Sequence, residues 1–434
     1  MRPIRKLIIL AGLSELLYVS LYIFPVAPAL LYGKYIATAS GCFVLYILAL
    51  ILIKRSTNIN TNQLTAVIFL AGLLFRLTLI ALPPFTSDDI YRYIWDGRVL
   101  AAAINPYRYA PTASELIPLR DNEIYPFINH PYLPTIYPPL AQIGFLIAYF
   151  IGNGSLIGFK LLALIAELVT GGLLVRLLIR TGRPITDAII YLWCPLPILE
   201  FFISGHVDVL GIPFLVLFLH CMVDERPYRA ALALAGAVLV KWLPLIFLPL
   251  VARQLGVKKT CYFGLIFALA IITVYLPFLT VGLSVLKSFG TYLQYWSFNS
   301  SLFAIVWMLT DDYQRAHYLC YIAIMIWTAT IALLSRNFII TTFWTLAGVY
   351  LFFPTIYPWY LSWLLPLLVM VPSRAFLLLL ALSQISYWVL VDFHQYGQWY
   401  DSPLIRTLEY LPFFLLLSYE LIIKSRRVAV QEAI

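Results

Sequence analysis

The sequence predicts an all-α, polytopic membrane protein, and three observations carry this prediction. Of the 434 residues, 62% are hydrophobic and only 11% are charged. The mean hydropathy is +0.89, far above that of a soluble domain. In a soluble domain, about a quarter of the residues are charged. The 30 Tyr and 11 Trp residues suit the two boundaries between membrane and water. The apolar segments predict about 12–13 transmembrane helices.

The expected spans follow from the length and composition of these segments. They are 7–31, 33–53, 64–83, 155–179, 185–203, 207–223, 258–281, 315–334, 337–353, 358–371, 374–391 and 403–424. The stretches 138–151, 228–250 and 300–310 are short or interrupted by proline, and we expect them to enter the membrane without crossing it.

Charge gives the chain an expected orientation. With the amino terminus in the cytoplasm as a retained first helix, most of the 29 Lys and Arg residues lie inside. The chain then forms a single membrane domain, 1–434, with a large far-side loop at 84–137 and a less determined carboxy-terminal half at 251–434. The net charge of +9 is expected to meet anionic lipid headgroups rather than nucleic acid.

The far-side loop opens with two adjacent carboxylates, Asp88 and Asp89. Ser87 and Asp88 suit a helix start, and the spacing beyond them predicts an amphipathic helix over 88–103 that lies on the membrane. Asp88, Arg92 and Asp96 are four residues apart and share one face of that helix, while Asp89 points about 100° away. Both carboxylates are candidate general bases for an attacking hydroxyl, and the alternative is that they cap and solvate the helix.

Further candidates for substrate binding lie on the same side. Arg92 suits a phosphate because of its planar fork of donors. Arg98 and Arg108 are expected near a buried Asp96, and a structural ion pair is the alternative to a role in chemistry. The remaining candidates are polar or aromatic groups of the loop and of a helix start beyond it: Tyr107, His130, Tyr137, His206 and Asp208.

Several other polar and aromatic residues stand out in apolar surroundings. Ionisable groups within apolar segments are expected to pair inside the protein, with a proton or ion relay as the alternative, and Glu15 with Arg76 is a candidate pair. The full set is Glu15, Arg76, Lys160, Glu167, Glu200 and Lys241. An aromatic lip for a sugar or a prenyl chain, or else an interfacial belt, is expected from Tyr292, Tyr295, Trp296, Phe298, Trp359 and Tyr360. Later candidates for a lipid phosphate are Arg315, His317 and His394.

The five Cys residues are scattered singly, so neither disulfides nor a metal site is expected. The His and carboxylate residues likewise show no spacing that is typical of metal ligands, and the sequence predicts no metal.

Taken together, the acidic pair, Asp96-Gly97-Arg98, Asn105-Pro106-Tyr107 and Thr135-Ile136-Tyr137-Pro138-Pro139 resemble the GT-C superfamily of membrane glycosyltransferases. The chain is most similar to polyprenol-phosphate-sugar-dependent mannosyltransferases of the glycosylphosphatidylinositol mannosyltransferase I and phosphatidylinositol-mannoside type. A second similar region joins Gly205-His206-Val207-Asp208 to Lys241-Trp242-Leu243-Pro244. The resemblance covers about residues 84–250, and the family often has Asp-X-Asp where this chain has adjacent Asp88 and Asp89.

The resemblance implies a GT-C-like fold and the inverting transfer of a single hexose, mannose above all. The donor would be a polyprenyl-phosphate sugar, the acceptor a lipid-linked or glycan hydroxyl, and no cofactor would be needed. Asp88 or Asp89 would be the base, and Arg or His would offset the charge of the leaving phosphate. The implied location is the bacterial inner (plasma) membrane, with the active site facing the periplasm or exterior.

Two other classes of function are compatible with such a cavity. A transporter or flippase of a lipid-linked sugar would need similar polar and aromatic groups, but it favours paired inverted repeats, which the sequence does not display. An oligosaccharide ligase or polymerase is the second alternative, and its large acceptors fit poorly with the short far-side loops.

Overall fold

The computed structural model describes residues 3–23, 27–56 and 61–432, and these ranges confirm the all-α prediction. Helices and their connecting loops account for the described chain, and no strand occurs in it. The single trace of β pairing is an isolated parallel bridge between Phe298 and Thr355.

The first three helices pack together before the large loop. They are α1 (Pro3–Ser20), α2 (Pro28–Arg55) and α3 (Thr61–Leu79). The predicted first span, 7–31, does not correspond to one helix, because α1 ends at Ser20 and α2 begins at Pro28. Residues 24–26 lie outside the described ranges. Proline suits the first turn of α2, and Lys54 and Arg55 in its last turn complement the helix dipole.

The loop and its flanking helices form one packed unit. Helix α4 (Asp89–Ala101) is followed by 3₁₀ turns at Ser114–Leu119 and Tyr125–Phe127, and then by α5 (Pro139–Ile151) and α6 (Ile157–Arg180). Helix α4 packs on α5 and α6, and most of its side chains are buried. Its ends agree with the prediction, but its contacts are with protein on most sides, rather than with a membrane on one side.

The rest of the chain combines many short helices, several of which begin at proline, with a few long ones. Their bounds are α7 (Ile189–Leu192), α8 (Pro195–Leu199), α9 (Asp208–Val223), α10 (Pro227–Val240), α11 (Leu248–Leu255), α12 (Val257–Tyr275), α13 (Lys287–Tyr295), α14 (Leu302–Thr310), α15 (Tyr313–Leu334), α16 (Phe338–Phe352), α17 (Leu365–Met370), α18 (Arg374–Leu382), α19 (Trp388–Tyr396) and α20 (Pro403–Glu432). Further 3₁₀ turns lie at Ile185–Ala188, Leu243–Phe247, Leu276–Leu286, Pro358–Leu364 and Ser383–Tyr387, and a π-helical turn lies at Glu200–Ser204.

Within the described residues, 6 helices are long and apolar enough to cross a membrane, or up to 7 if a bent pair over 185–204 is one span. The chain is therefore a polytopic integral membrane protein. Several segments predicted as spans form shorter apolar helices, including α9 and α16. At about 1.5 Å per residue, such helices fall short of a hydrocarbon core of about 30 Å, so composition alone overstated the number of full-length spans.

A buried ion pair in the helical core differs from the expected one. Arg76 pairs with Glu167 at 2.6 Å, and both side chains are almost fully buried. The expected partner of Arg76, Glu15, accepts a hydrogen bond from Thr78 instead. Helices α1 and α3 do pack together, but the Arg76 side chain reaches Glu167 on α6.

Candidate active site

A cavity of about 1020 Å³ lies between the far-side loop and the carboxy-terminal half. Its walls come from residues 86–93 and 129–138, the start of α9, the end of α10, and helices α13, α15 and α16. Polar groups gather near the start of α4, and apolar groups line the side formed by α13 and α15. The cavity therefore has one end suited to a sugar or phosphate and one end suited to a lipid chain.

The two adjacent carboxylates have different surroundings. Asp88 is exposed at the cavity wall, and the desolvation of its carboxyl together with the charge of Asp89 raises its pKa. The Asp89 side chain is 20% exposed and accepts hydrogen bonds from Asn129 at 2.6 Å and from the Tyr93 hydroxyl at 3.5 Å. Its Oδ2 lies 3.6 Å from Nδ1 of His206. Burial opposes the charge on Asp89, but these hydrogen bonds and the positive charges nearby hold its pKa below the usual value.

His206 lies behind the cavity wall and links Asp89 to a second carboxylate. Its ring is fully buried and stacks on Trp359, with the two ring centroids 3.7 Å apart. Nε2 of His206 lies 3.4 Å from Oε2 of the fully buried Glu200. Burial disfavours the imidazolium, but the two carboxylates outweigh burial and raise the pKa of His206. The imidazole of His206 thus sits between two carboxylates.

Local backbone geometry brings His206 to α4. The π-helical turn Glu200–Ser204 ends at Gly205, whose φ of 73° is in the left-handed region that favours glycine. A Cβ at this position would lie 2.4 Å from Cδ1 of Ile90. Because Gly205 has no side chain, the turn packs directly on α4 next to Asp89. The backbone N–H of His206 donates to the carbonyl of Glu200 at 3.2 Å, which closes the turn.

A second charged pair lies on the cavity wall, where α9 begins and α10 ends. Nζ of Lys241 donates to Oδ1 of Asp208 at 2.7 Å, and the indole Nε1 of Trp363 donates to the same oxygen at 2.5 Å. The ammonium group also lies 3.7 Å from the ring centroid of Tyr360. Lys241 follows the end of α10 and has a side chain that is 21% exposed, so its charge is available to the cavity.

Arg92 lines the cavity, whereas Asp96, its ion-pair partner, does not. Nε of Arg92 donates to Oδ1 of Asp96 at 2.7 Å, as expected for residues four apart on one helix face. Gln142 donates to the other oxygen of Asp96 at 3.2 Å. Asp96 therefore pairs with Arg92, and the expected pairing of Asp96 with Arg98 or Arg108 is wrong.

Three further predicted binding residues do not line the cavity, and two of them, Arg98 and Tyr107, hold the loop instead. Arg98 forms an ion pair with Asp121 at 2.5 Å. Tyr107 is buried and donates to the carbonyl of Tyr137 at 2.6 Å. Arg108 is exposed, and its guanidinium lies 5.4 Å from the ring centroid of Tyr109.

His130 and Tyr137 do line the cavity. His130 has a φ of 43°, and its Nδ1 lies 3.0 Å from the hydroxyl of Tyr132. Its ring meets Trp296 edge to face, with centroids 5.0 Å apart. Burial lowers the pKa of His130, so this imidazole is expected to be neutral at pH 7.

The predicted aromatic residues of the later chain also gather at the cavity. All six line it: Tyr292, Tyr295, Trp296, Phe298, Trp359 and Tyr360. In contrast, the three later candidates for a lipid phosphate do not line it: Arg315, His317 and His394. His317 is instead buried in a small cluster with Phe303, and Arg315 is exposed near Asp312.

Sequence reasoning placed Glu200 only among the unusual ionisable groups. It noted Lys241 there and in the second similar region without a partner, and it did not single out Asn129. The available signal was the rarity of charge in apolar segments, which indicates an inward-facing role but not a partner. Within residues 3–23, 27–56 and 61–432, no three His, Cys, Asp or Glu residues are grouped in a way that could hold a metal ion.

A helical polytopic fold, with a carboxylate-bearing cavity behind a large first loop, defines the class of GT-C membrane glycosyltransferases. Within this class, residues 16–256 match the MptA_B family, described as "Alpha-(1->6)-mannopyranosyltransferase, N-terminal domain". This match covers more than half of the chain, and the protein belongs to that family. It also confirms the resemblance that the loop motifs indicated, and it includes both similar regions.

A curated relative points to related chemistry with a different sugar. An alpha-(1->3)-arabinofuranosyltransferase from Corynebacterium glutamicum is 29% identical over 144 residues, which make up 31% of this chain and 33% of that protein. The chain thus matches about a third of the length of this relative. Family membership and this relative favour a membrane glycosyltransferase over a transporter.

Proposed function

We propose that the protein transfers a single hexose, mannose in the first instance, from a polyprenyl-phosphate sugar to a hydroxyl of a lipid-linked or glycan acceptor. The transfer inverts the anomeric centre, and Asp89 is the general base. The observation that carries the proposal is the position of Asp89 on the cavity wall, next to Asn129 and His206. The family assignment supports mannose as the sugar.

Asp89 suits the role of base better than Asp88. A general base must be deprotonated and held at a fixed position relative to the proton that it accepts. Asn129 donates to Asp89 and His206 places positive charge near it, which favours a fixed, ionised carboxylate. Asp88 is exposed and its pKa is raised, so its carboxylate is less constrained and more readily protonated.

In the proposed transfer step, Asp89 accepts the proton and the phosphate keeps the electron pair of the broken bond. The acceptor O–H bond breaks and its proton passes to a carboxylate oxygen of Asp89, while the acceptor oxygen forms a bond to the anomeric carbon. The bond between that carbon and the phosphate oxygen breaks, and its electron pair stays on the phosphate. The leaving polyprenyl phosphate gains negative charge, which Lys241 and Arg92 offset from the cavity wall.

The apolar side of the cavity supports a lipid donor. Its lining includes Ile246, Phe289 and Leu293. Met325 lines the cavity and is also 63% exposed on α15, a helix of spanning length. The cavity therefore adjoins the lipid-facing surface, where a prenyl chain can pass from the bilayer to the site.

The orientation that we propose follows from charge. With most Lys and Arg residues on the cytoplasmic side of a bacterial inner membrane, Asp89 faces the periplasm or exterior. The substrate partners are then the donor, the acceptor and membrane lipids, and no nucleic acid takes part.

Transfer by the purified full chain in liposomes tests this proposal. The donors are polyprenyl-phosphate mannose, other hexoses and arabinofuranose, the last because of the relative from Corynebacterium glutamicum. We expect consumption of the mannose donor with inversion at the anomeric carbon. Consumption of the arabinofuranosyl donor alone would replace the sugar assignment, and no consumption of any donor with any lipid or glycan acceptor would overturn the proposal.

A further inference from the structure

One buried carboxylate, that of Glu200, does not line the cavity. Glu200 is fully buried in the π-helical turn, and an ionised carboxylate is costly there unless it is well paired. Tyr387 donates to its Oε2 at 2.7 Å, and Gln384 donates to its Oε1 at 3.3 Å. Among the ion pairs of the described residues, His206 is the cationic partner of Glu200.

Stacking on Trp359 holds the His206 ring in place between the carboxylates of Asp89 and Glu200. Its plane lies within 10° of the plane of Trp359. The two ring nitrogens face Asp89 at 3.6 Å and Glu200 at 3.4 Å. A neutral imidazole has one N–H donor and one acceptor nitrogen, so it would turn a lone pair toward one of these carboxylates. The doubly protonated ring presents an N–H to each carboxylate, at ion-pair distances of 3.6 and 3.4 Å.

Groups from neighbouring helices also surround Asp89, His206 and Glu200. Tyr35, from α2, donates to Gln384 at 2.8 Å on the far side of Glu200. Tyr93, from α4, lies between Asp89 and the backbone N–H of Val207. Lys241, whose ammonium is paired with Asp208, also acts electrostatically on Asp89.

From this geometry we infer that Glu200 is a positioning residue for transfer: acting through His206, it keeps Asp89 ionised and oriented toward the acceptor hydroxyl. The inference rests on the proposed function, in which Asp89 is the base. Glu200 touches no substrate, because a buried imidazole separates it from the cavity. Loss of its charge would favour the neutral imidazole, and Asp89 would then lose a positive neighbour.

The test is the pH dependence of kcat/KM for Glu200→Gln beside the wild-type protein, with the donor that the wild type consumes. We expect kcat/KM at pH 7 to fall by about 10- to 100-fold with little change in KM, since binding groups are untouched. The acid limb should move to higher pH by about one unit or more, because Asp89 then protonates more readily. Glu200→Asp keeps the charge, and its acid limb should lie between those of Glu200→Gln and the wild type.

Glu167→Gln is the matched control, since Glu167 is an equally buried carboxylate that pairs with Arg76 instead of a group near the cavity. This variant should lose stability and leave the acid limb unmoved.

If Glu200→Gln folds and also leaves the acid limb unmoved, Glu200 is structural and the inference is wrong. Should Glu200→Gln fail to fold, His206→Gln must show the upward shift, and an unmoved limb there overturns the inference. Inactivity of the wild type with every donor would instead count against the proposed function.

Discussion

Nδ1 of His206 lies 3.6 Å from Oδ2 of Asp89, although the two residues come from distant parts of the chain. Asp88, the sequence neighbour of Asp89, is exposed at the cavity wall. The structure thus separates two carboxylates that the sequence presents as equivalent, and this separation leads to the following predictions.

The first prediction concerns the pH dependence of the wild-type protein. The pKa of Asp89 is held below its usual value, so the base stays ionised as the pH falls from 8 to 5. We therefore expect the pH profile of kcat/KM for transfer to show no acid limb between pH 8 and pH 5. If Asp88 were the base, its raised pKa would bring the acid limb to higher pH. Initial rates in buffers of constant ionic strength distinguish the two.

The second prediction concerns Lys241. Lys241→Gln should lower kcat for transfer by about 10²-fold or more, because the leaving phosphate gains charge that the ammonium group offsets. Lys258→Gln is the control, since Lys258 is exposed near the start of α12 and away from the cavity. Single-turnover rates with saturating donor provide the measurement, and equal rates for both variants would remove Lys241 from the account.

The third prediction concerns the close contact of Gly205 with α4. Gly205→Ala places a Cβ 2.4 Å from Cδ1 of Ile90 on a backbone with positive φ, and we expect a loss of about 1–3 kcal/mol in stability with reduced transfer. Gly182→Ala isolates the backbone effect, because Gly182 has a φ of 68° but no atom within 4 Å of the added Cβ.

Adding Ile90→Val to Gly205→Ala removes the atom at 2.4 Å, so it should restore part of the lost stability and transfer. Thermal unfolding in detergent and transfer rates measure both effects. A double variant no better than Gly205→Ala would contradict the packing explanation.

The fourth prediction concerns the buried pair of Arg76 and Glu167. Glu167→Ala should destabilise the protein by about 3–5 kcal/mol, since it leaves a buried guanidinium without its carboxylate. The activity per folded molecule should change little, because neither residue lines the cavity. Glu15→Gln, on α1, is the comparison and should cost much less. Similar unfolding temperatures for the two variants would show that the pair is not a main source of stability.

The sequence predicted the fold class and the start of the site because both depend on local patterns. Apolar segments define helices, and helical spacing placed Arg92 and Asp96 on one face, where they form an ion pair. The number of full-length spans was overestimated, since hydropathy does not distinguish a short buried helix such as α16 from a helix that crosses. Spacing within one helix does not show which neighbouring helix a buried side chain meets, and Arg76 pairs with Glu167 rather than Glu15.

Contacts between distant segments could not be predicted from spacing. The approach of His206 to Asp89 depends on a π-helical turn and on Gly205, and neither has a periodic signal. Similarly, Lys241 pairs with Asp208 across two helices. The loop residues Arg98 and Tyr107 were singled out because polar groups are rare in this chain, but their contacts lie within the loop and its supports.

The most direct test of the central claim compares Asp89→Asn with Asp88→Asn in the same transfer assay. Asp89→Asn should lower kcat by about 10²- to 10⁴-fold, the usual contribution of a general base, in protein that remains folded. Asp88→Asn should keep activity within about threefold, since an exposed charge is largely screened. Loss of transfer in Asp88→Asn, with activity retained in Asp89→Asn, would contradict the account.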